Sequence, residues 1–233
     1  MSRVVVTGAS RGVGAIVAGA LAKDHDVVGL ARSPVGEWAC DERVTRTECD
    51  LTDESATRRA FSQLRKSGSG PDVLIHSAGM FSADLLGATS GARFADVLAA
   101  NVVASQNVIR EGIKEMRRND FGRVVALSSI AARIPLTGNA VYGTSKVALE
   151  HVVRSYAVEL AGTGLTFNCL ALSFIEGTPM VEALQDDARR RYEARLSHPA
   201  AVTPAQLMHA IGFLIAEDAA AVTGETLVLG GPH

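Results

Sequence analysis

Cysteine, net charge and long apolar runs are all scarce in this chain, and each shortage excludes a class of protein. The 233 residues include three cysteines, Cys40, Cys49 and Cys169, which are odd in number and unclustered. They predict neither a disulfide framework nor a metal site, and they fit a reducing cytoplasm. The 23 basic and 25 acidic residues nearly cancel, which argues against a nucleic-acid or membrane-surface partner.

Signals for export, membrane insertion and domain division are also missing from the sequence. No basic, apolar and small-residue leader opens the chain, and no apolar run approaches membrane-spanning length. No repeat, low-complexity tract or linker divides it. We therefore expect a soluble intracellular protein with one domain over residues 1–233, long enough to bury a core on both faces of a sheet.

Strands and helices are predicted to alternate along the chain. Short β-branched runs predict seven strands, at Arg3–Thr7, Asp26–Ala31, Val44–Cys49, Asp72–His76, Arg123–Ser128, Leu165–Ala171 and Glu225–Leu229. Helical spacing and capping residues predict helices at Arg11–Lys23, Asp53–Lys66, Ala92–Arg118, Tyr142–Ala161, Val181–Leu196 and Thr203–Glu217. Strands separated by helices of this length imply right-handed crossovers and a mostly parallel α/β sheet.

A glycine-rich turn joins the first strand to the first helix. It reads Thr7-Gly8-Ala9-Ser10-Arg11-Gly12-Val13-Gly14. Glycines let a backbone pass close to a pyrophosphate, and a helix N-terminus offers free N–H groups and the positive end of its dipole. The turn therefore predicts dinucleotide binding, and the alternative is an ordinary glycine-rich turn.

Tyr142 and Lys146 stand four residues apart on a predicted helix, so their side chains share one face. A nearby ammonium favours the ionised form of a phenol, and such a phenol can exchange a proton near neutral pH. The pair therefore indicates acid–base chemistry on an oxygen atom. Alone it is a weak signal, because Tyr and Lys at this spacing are also common on solvated helices.

The spacing TGxxxGxG, together with Tyr142-Gly-Thr-Ser-Lys146, resembles the classical short-chain dehydrogenases/reductases over essentially the whole chain. The other motifs that carry the resemblance are Asp50-Leu51, His76-Ser77-Ala78-Gly79, Asn101, Ser129 thirteen residues before Tyr142, and Val222–Gly231. The last of these is most similar to the 3-oxoacyl-(acyl-carrier-protein) reductase branch. The resemblance implies a doubly wound Rossmann-type sheet of seven strands in the order 3-2-1-4-5-6-7.

The resemblance also implies a role for each residue of the site. Tyr142 would give its proton to a carbonyl oxygen, and Lys146 would lower the pKa of Tyr142 and hold the nicotinamide ribose. Ser129 would orient the substrate oxygen, and Asn101 would hold a water that links Lys146 to solvent. Cofactor contacts are expected from Tyr142, Lys146, Gly8, Ser10, Arg11, Gly12, Val13, Gly14, Arg32, Ser33, Asp50, Leu51, Ser77, Ala78, Gly79, Ile175 and Thr178.

Charge at the end of the second strand favours NADPH over NADH. An NAD site of this kind normally has an acidic residue there, whereas this chain reads Gly29-Leu-Ala-Arg32-Ser33. Arg11 and Arg32 would grip a 2′-phosphate through charge-assisted hydrogen bonds. The alternative is that both arginines are solvated surface residues. NADPH in turn favours carbonyl reduction as the direction.

The sequence leaves more than one role open for several residues near the predicted site. Leu172-Ser173 replaces the usual Pro-Gly, and we expect His76, where the family has Asn, to be structural and not a base. Arg133 and Arg189–Arg191 would contact an anionic substrate or serve as ordinary surface charges, and His151 suits a subunit contact. The apolar residues of an expected substrate lid over 174–200 would line a pocket or pack onto the core: Met180, Val181, Ala183 and Leu184.

The sequence thus predicts an NADPH-dependent reductase of a small carbonyl substrate, free or held on acyl-carrier protein. The nearest activity is reduction of a 3-oxoacyl thioester. A reductase or dehydrogenase of a specialised-metabolite ketone or alcohol is the rival, and a non-catalytic NADP(H)-binding sensor is the alternative from another class. The resemblance also implies a homotetramer or homodimer, with the long helix and the Tyr142 helix packing across a two-fold axis.

Overall fold

The protein forms one seven-stranded sheet with helices on both faces. The computed structural model describes residues 1–68, 70–135, 137–179, 186–198 and 200–233. The strands are β1 (Arg3–Thr7), β2 (Asp26–Ala31), β3 (Thr45–Glu48), β4 (Val73–His76), β5 (Gly122–Ser129), β6 (Leu165–Leu172) and β7 (Thr226–Val228). They lie in the order β3-β2-β1-β4-β5-β6-β7, and each neighbouring pair is parallel. This confirms the predicted fold class and strand order.

The helices follow the predicted alternation. They are α1 (Gly12–Leu21), α2 (Glu54–Lys66), α3 (Gly91–Leu98), α4 (Ala104–Met116), α5 (Ala140–Glu159), α6 (Asp186–Glu193) and α7 (Pro204–Ile215). Two start where capping chemistry predicts. Asp53 accepts hydrogen bonds from the N–H groups of Ser55 and Ala56, and Thr203 forms a capping box with Gln206. No helix in the described part of the chain is long and apolar enough to cross a membrane.

Successive side chains of β1 point to opposite faces of the sheet, and an apolar layer lies on each face. Val4 and Val6 face a core that includes residues of α1 and α7, whereas Val5 faces a core built with α2, α4 and α5. Because both faces are covered, the strand reads as a continuous apolar run. Both faces of the sheet are therefore covered, and the carboxyl-terminal edge is where polar groups lie.

Two predicted helices differ from the structure. The single helix predicted over Ala92–Arg118 is α3 and α4 joined by a π-helical turn at Ala99–Val103, which contains Asn101. The helix predicted over Val181–Leu196 is helical in its described part only over α6, which ends at Glu193, three residues before the predicted end. Residues 180–185, and with them Met180, Val181, Ala183 and Leu184, lie outside the described residues.

The topology places the candidate site at the carboxyl ends of the central strands. β1 lies between β2 and β4, so the chain changes direction across the sheet at this point. Ligands of open α/β sheets bind in the crevice at such a switch point. The neighbouring pairs Thr7–His76 and Ser129–Leu172 mark this edge.

Candidate active site

The glycine-rich turn forms a close cradle at the start of α1. Gly8 has a φ of +69°, and a Cβ there would lie 2.8 Å from the backbone of Ala78. A Cβ on Gly14 would collide with the carbonyl oxygen of Gly8. Neither position therefore tolerates a side chain. A tight backbone beside the N-terminus of a ten-residue helix fits the pyrophosphate of a dinucleotide, as the motif predicts.

Other predicted cofactor residues gather around this cradle. Ser77 and Ala78 follow β4, and their N–H groups donate to the Thr7 hydroxyl at 3.2 Å. A Cβ on Gly79 would lie 3.7 Å from the Lys146 ammonium, so this turn passes directly beside that side chain. Six more of the predicted cofactor residues are buried or half-buried: Ser10, Gly12, Val13, Ser33, Asp50 and Leu51.

Arg11 and Arg32 lie on the surface at the outer end of the cradle. Arg11 immediately precedes α1 and Arg32 immediately follows β2, and both are exposed. Within the described ranges neither arginine forms a salt bridge. Two exposed guanidiniums without a protein carboxylate are available to an anionic ligand.

Ile175 and Thr178 follow β6, where the sequence departs from the family pattern. Ile175 is buried and pairs with Val202 in an isolated bridge. Thr178 is also buried, and its hydroxyl donates to the Ile175 carbonyl at 2.8 Å. Leu172-Ser173 therefore still leads into an ordered turn, and the Thr178 hydroxyl is engaged by that turn.

Tyr142 and Ser129 meet at the bottom of a pocket. Ser129 ends β5 and Tyr142 lies in the first turn of α5. Burial raises the pKa of Tyr142 to about 12, against the opposing effect of a hydrogen bond with Ser129. The phenol therefore keeps its proton at neutral pH.

This direction is opposite to the sequence prediction, which had Lys146 lowering the pKa of Tyr142. The physical reason is that loss of hydration around the phenol itself dominates its pKa. Lys146 is buried as well. Burial lowers its own pKa to about 8, and its ammonium donates to the Leu127 carbonyl at 2.8 Å. The ammonium lies 5.6 Å from the centre of the Tyr142 ring. Loss of hydration is thus the largest effect of the protein on the pKa of each group.

Asn101 is fully buried and all its side-chain atoms have partners. Its Oδ1 accepts from the Met80 N–H at 2.6 Å, and its Nδ2 donates to the Met80 carbonyl and the Ser145 hydroxyl at 2.9 and 2.8 Å. Ser145 in turn donates to the Tyr142 carbonyl at 2.6 Å. Asn101 thus ties the turn after β4 to the start of α5. The water that it was predicted to hold stays a prediction.

His76 is buried and neutral, in line with the structural role predicted for it. Its Nδ1 lies 2.9 Å from the Thr7 hydroxyl, which also accepts two backbone N–H groups. The single hydroxyl proton must therefore go to Nδ1, and the ring proton sits on Nε2. Burial, and then the charge of Lys146, lower the pKa of His76 to about 3.

Aromatic side chains wall the pocket above Ser129 and Tyr142. Phe81 contacts the Tyr142 ring edge-to-face with centroids 5.2 Å apart, and Phe174 contacts Tyr192 in the same way at 5.4 Å. The Tyr192 hydroxyl accepts a hydrogen bond from Asn139 at 3.1 Å, which fixes α6 to the start of α5. The cavity between these walls measures about 50 Å³.

Arg133 and Arg189, two of the arginines that the sequence left open, have protein partners. Arg133 donates to the buried carboxylate of Glu150 at 2.8 Å, so it is an ion-pair residue. Arg189 pairs with Glu193 at 2.7 Å on the exposed face of α6. His151 is exposed on α5, as a residue at a subunit contact would be.

A family model described as enoyl-(acyl carrier protein) reductase matches residues 8–231. The chain belongs to the short-chain dehydrogenase/reductase family. It is therefore an NAD(P)-dependent oxidoreductase that acts on CH–OH or C=O groups. The resemblance drawn from the motifs is confirmed.

Curated relatives of this dehydrogenase/reductase include two 3-oxoacyl-[acyl-carrier-protein] reductases. MabA of Mycobacterium tuberculosis is 29% identical over 228 residues, which are 98% of this chain and 91% of that protein. FabG of Escherichia coli is 29% identical over 232 residues, covering 97% and 95% of the two chains.

Solved structures share the fold at lower identity. A variant of the actinorhodin polyketide ketoreductase with NADPH has a TM-score of 0.86 at 24% identity, covering 98% of this chain and 95% of that one. A 4-hydroxyisoleucine dehydrogenase complexed with NADH has a TM-score of 0.85 at 24% identity, covering 98% and 97%. The fold is thus compatible with either cofactor.

Sequence reasoning missed two features around this site. Phe81, Phe174 and Tyr192 come from three separate segments, and no pattern links them before folding. Glu150 had a usable signal, since it lies one helical turn beyond Lys146 and two beyond Tyr142 on the same helix.

Proposed function

We propose that this protein reduces a carbonyl group to a hydroxyl group with NADPH, and that its substrate most resembles a 3-oxoacyl thioester. The observation that carries the proposal is the half-buried, protonated Tyr142, hydrogen-bonded to Ser129 beside the buried Lys146. A proton donor and a hydroxyl that face one pocket suit an oxygen atom that gains a proton.

The chain's residues divide the chemistry between them. NADPH, when bound, supplies a hydride to the carbonyl carbon. Tyr142, with a pKa of about 12, holds its proton at neutral pH and gives it to the carbonyl oxygen. The Ser129 hydroxyl orients that oxygen. The carbon thus gains a hydride and the oxygen a proton, and the tyrosinate that remains must be protonated again.

Lys146 suits the task of restoring that proton. Its pKa of about 8 lies close to neutral pH, so it can release and regain a proton there. We propose that Lys146 also holds the nicotinamide ribose, and that a water near Asn101 connects it to solvent. The fixed Asn101 side chain, which is bonded to both Met80 and Ser145, supports this placement.

The reaction is tested by NADPH consumption with an acetoacetyl thioester and a panel of ketones. We expect Tyr142→Phe to lower kcat by about 10²- to 10⁴-fold, the usual worth of a positioned proton donor, with NADPH affinity retained. Tyr156→Phe is the matched control, because Tyr156 contacts Gln106 and Phe167 outside the pocket. Tight NADPH binding with no turnover of any ketone would favour the non-catalytic sensor.

We propose NADPH as the cofactor because of Arg11 and Arg32. Both are exposed at the edge of the cradle, and no acidic residue stands at the end of β2. Arg32→Asp should raise the KM for NADPH by about tenfold, since exposure weakens each charge-assisted bond. The exposed Arg58 on α2 provides the control variant Arg58→Asp. An unchanged NADPH preference in Arg32→Asp would contradict the assignment.

A compact ketone is the second candidate substrate. The observation that favours it is the small cavity, about 50 Å³, between Phe81, Phe174 and Tyr192. Sites for drug-sized ligands are typically several times larger, about 300–1,000 Å³. In the same panel, a higher kcat/KM for a cyclic or aryl ketone than for the thioester would select this candidate.

We also propose a homotetramer or homodimer, working in the cytoplasm as a single domain with a lid over residues 174–200. Val103, Val147 and Val158 support the assembly, because they leave apolar surface exposed on the π turn and on α5. The free cysteines, two of them buried, suit a reducing compartment. Light scattering would measure the assembly, and a monomer at micromolar concentration would contradict it.

A further inference from the structure

Glu150 is a buried carboxylate that the proposed chemistry does not use. It is 6% exposed and lies on α5, four residues after Lys146 and eight after Tyr142. Its Oε1 accepts from the Ser128 hydroxyl at 2.7 Å, and its Oε2 accepts from Arg133 Nη2 at 2.8 Å. Both carboxylate oxygens are therefore engaged, each by a different partner.

The two partners stand on either side of Ser129. Ser128 precedes it in β5, and Arg133 follows the 3₁₀ turn Ile130–Ala132 that Ser129 caps. The Ser129 hydroxyl accepts from the Ala131 N–H at 3.2 Å. One carboxylate thus holds both ends of the turn that carries the catalytic serine.

The turn is also pressed against the start of α5. A Cβ on Gly143, the residue after Tyr142, would lie 2.5 Å from the Ala131 carbonyl oxygen. The Glu150 contacts act at the other end of the same contact surface, two helical turns along α5. The distance between Ser129 and Tyr142 therefore depends on how the turn is seated on this helix.

Charged and titratable groups surround Glu150 from three elements. Arg133 faces it from the turn, Lys146 and Arg154 stand four residues before and after it on α5, and Cys169 interacts with it from β6. The negative charge of Glu150 opposes the effect of burial on the pKa of Lys146. Removing that charge should lower the pKa of Lys146 further.

We infer that Glu150 is a positioning residue, which seats the Ser129 turn on α5 through Ser128 and Arg133 and so holds Ser129 against Tyr142. The inference rests on the proposed roles of Ser129 and Tyr142. A purely structural ion pair would contribute to folding only. A positioning role and a purely structural role differ in the effect that loss of Glu150 has on kcat.

The Glu150→Gln variant distinguishes a positioning role from a purely structural one. The amide keeps the shape of the side chain and one acceptor oxygen, but it cannot accept hydrogen bonds from both Ser128 and Arg133. We expect kcat to fall by about 10- to 100-fold, as when a catalytic group moves by about 1 Å, with little change in the KM for NADPH. The alkaline limb of the pH–rate profile should move towards lower pH. Loss of the Glu150 charge moves this limb in either case, so the fall in kcat at a pH below the limb is the effect that a purely structural role would not produce.

Asp72→Asn is the matched control, because it breaks the Arg3–Asp72 ion pair of 2.6 Å at the opposite edge of the sheet. It should lower stability and leave kcat and the pH profile unchanged. If Glu150→Gln does not fold, Arg133→Met removes the half-exposed partner instead, and Arg133→Lys should recover most of the lost kcat. Wild-type kcat in the folded Met variant would overturn the inference.

Failure of the proposed function is distinguishable from failure of this inference. If the wild type reduces no ketone at all, the function fails, and the crystal structure of Glu150→Gln tests the positioning role alone. Ser129 still bonded to Tyr142 in that structure would overturn the inference. Displacement of the Ser129 turn away from α5 would support it.

Discussion

Replacing Lys146 with methionine should stabilise this protein while removing its activity. Burial lowers the pKa of Lys146 from its ordinary value of 10.5 to about 8. At 1.36 kcal/mol per pKa unit, the fold loses about 3 kcal/mol of stability by holding this ammonium charged at neutral pH. Methionine has a similar length and no charge, so that cost disappears.

Part of the gain is offset by lost contacts. The ammonium donates a hydrogen bond to the Leu127 carbonyl at 2.8 Å, and such a bond contributes about 1 kcal/mol. Its attraction to Glu150 is already contained in the pKa of about 8 and offsets nothing further. The expected net stabilisation of Lys146→Met at pH 7 is therefore about 1–2 kcal/mol, or roughly 2–8 °C in Tm for a chain of this length.

The effect of pH gives the sharper signature. Below pH 8 Lys146 is protonated in both folded and unfolded chains, so its contribution to the free energy of unfolding is constant. Between pH 8 and 10.5 the unfolded chain binds more protons than the folded one, so wild-type stability rises with pH. Lys146→Met lacks this rise, and its advantage should vanish or reverse by pH 10.5.

Urea unfolding at pH 7 and pH 10 measures both quantities, at one protein concentration because assembly adds to apparent stability. Lys66→Met is the control, since Lys66 is exposed at the end of α2 and its loss should be nearly neutral at either pH. A Lys146→Met variant that is less stable than wild type at pH 7, or a difference that does not change with pH, would refute the reasoning.

Three further outcomes are expected. In the wild type, kcat/KM should fall above about pH 8 because Lys146 loses its proton there, whereas Tyr142, with a pKa of about 12, stays protonated. A pH–rate profile that is flat to pH 10 would contradict this. Gly14→Ala places a methyl group on the Gly8 carbonyl and should weaken NADPH binding by about 100-fold in calorimetry, whereas Gly36→Ala, with open space around it, should bind like the wild type. Thr203→Ala removes the capping box of α7 and should cost about 1 kcal/mol in urea unfolding without affecting kcat, and an unchanged midpoint would show that the cap contributes nothing.

The long helix shows why some local predictions fail. Apolar spacing over Ala92–Arg118 predicts one helix, yet a π turn at Ala99–Val103 interrupts it. The Asn101 side chain within that turn bonds to Met80 and Ser145, which lie far away in the sequence. A periodicity of neighbouring residues carries no information about such partners, and π turns are common where a helix carries a functional residue.

What the sequence determined by itself is the architecture and the choice of candidate reacting groups. β-Branched runs set β1 and β2 within their observed bounds, and the motifs selected Ser129, Tyr142, Lys146 and the glycine cradle. These are local features, because strand, turn and helix-face positions depend on residues a few places apart. They require no knowledge of the core.

Only the tertiary structure decided the electrostatics and the walls of the site. Desolvation depends on every atom packed around a group, so the pKa of Tyr142 rises where pairwise reasoning from Lys146 predicted a fall. Phe81, Phe174 and Tyr192 likewise meet only after β4, β6 and α6 are in place. Short motifs identify the candidate reacting residues, whereas the properties of the pocket come from burial and from contacts between distant segments.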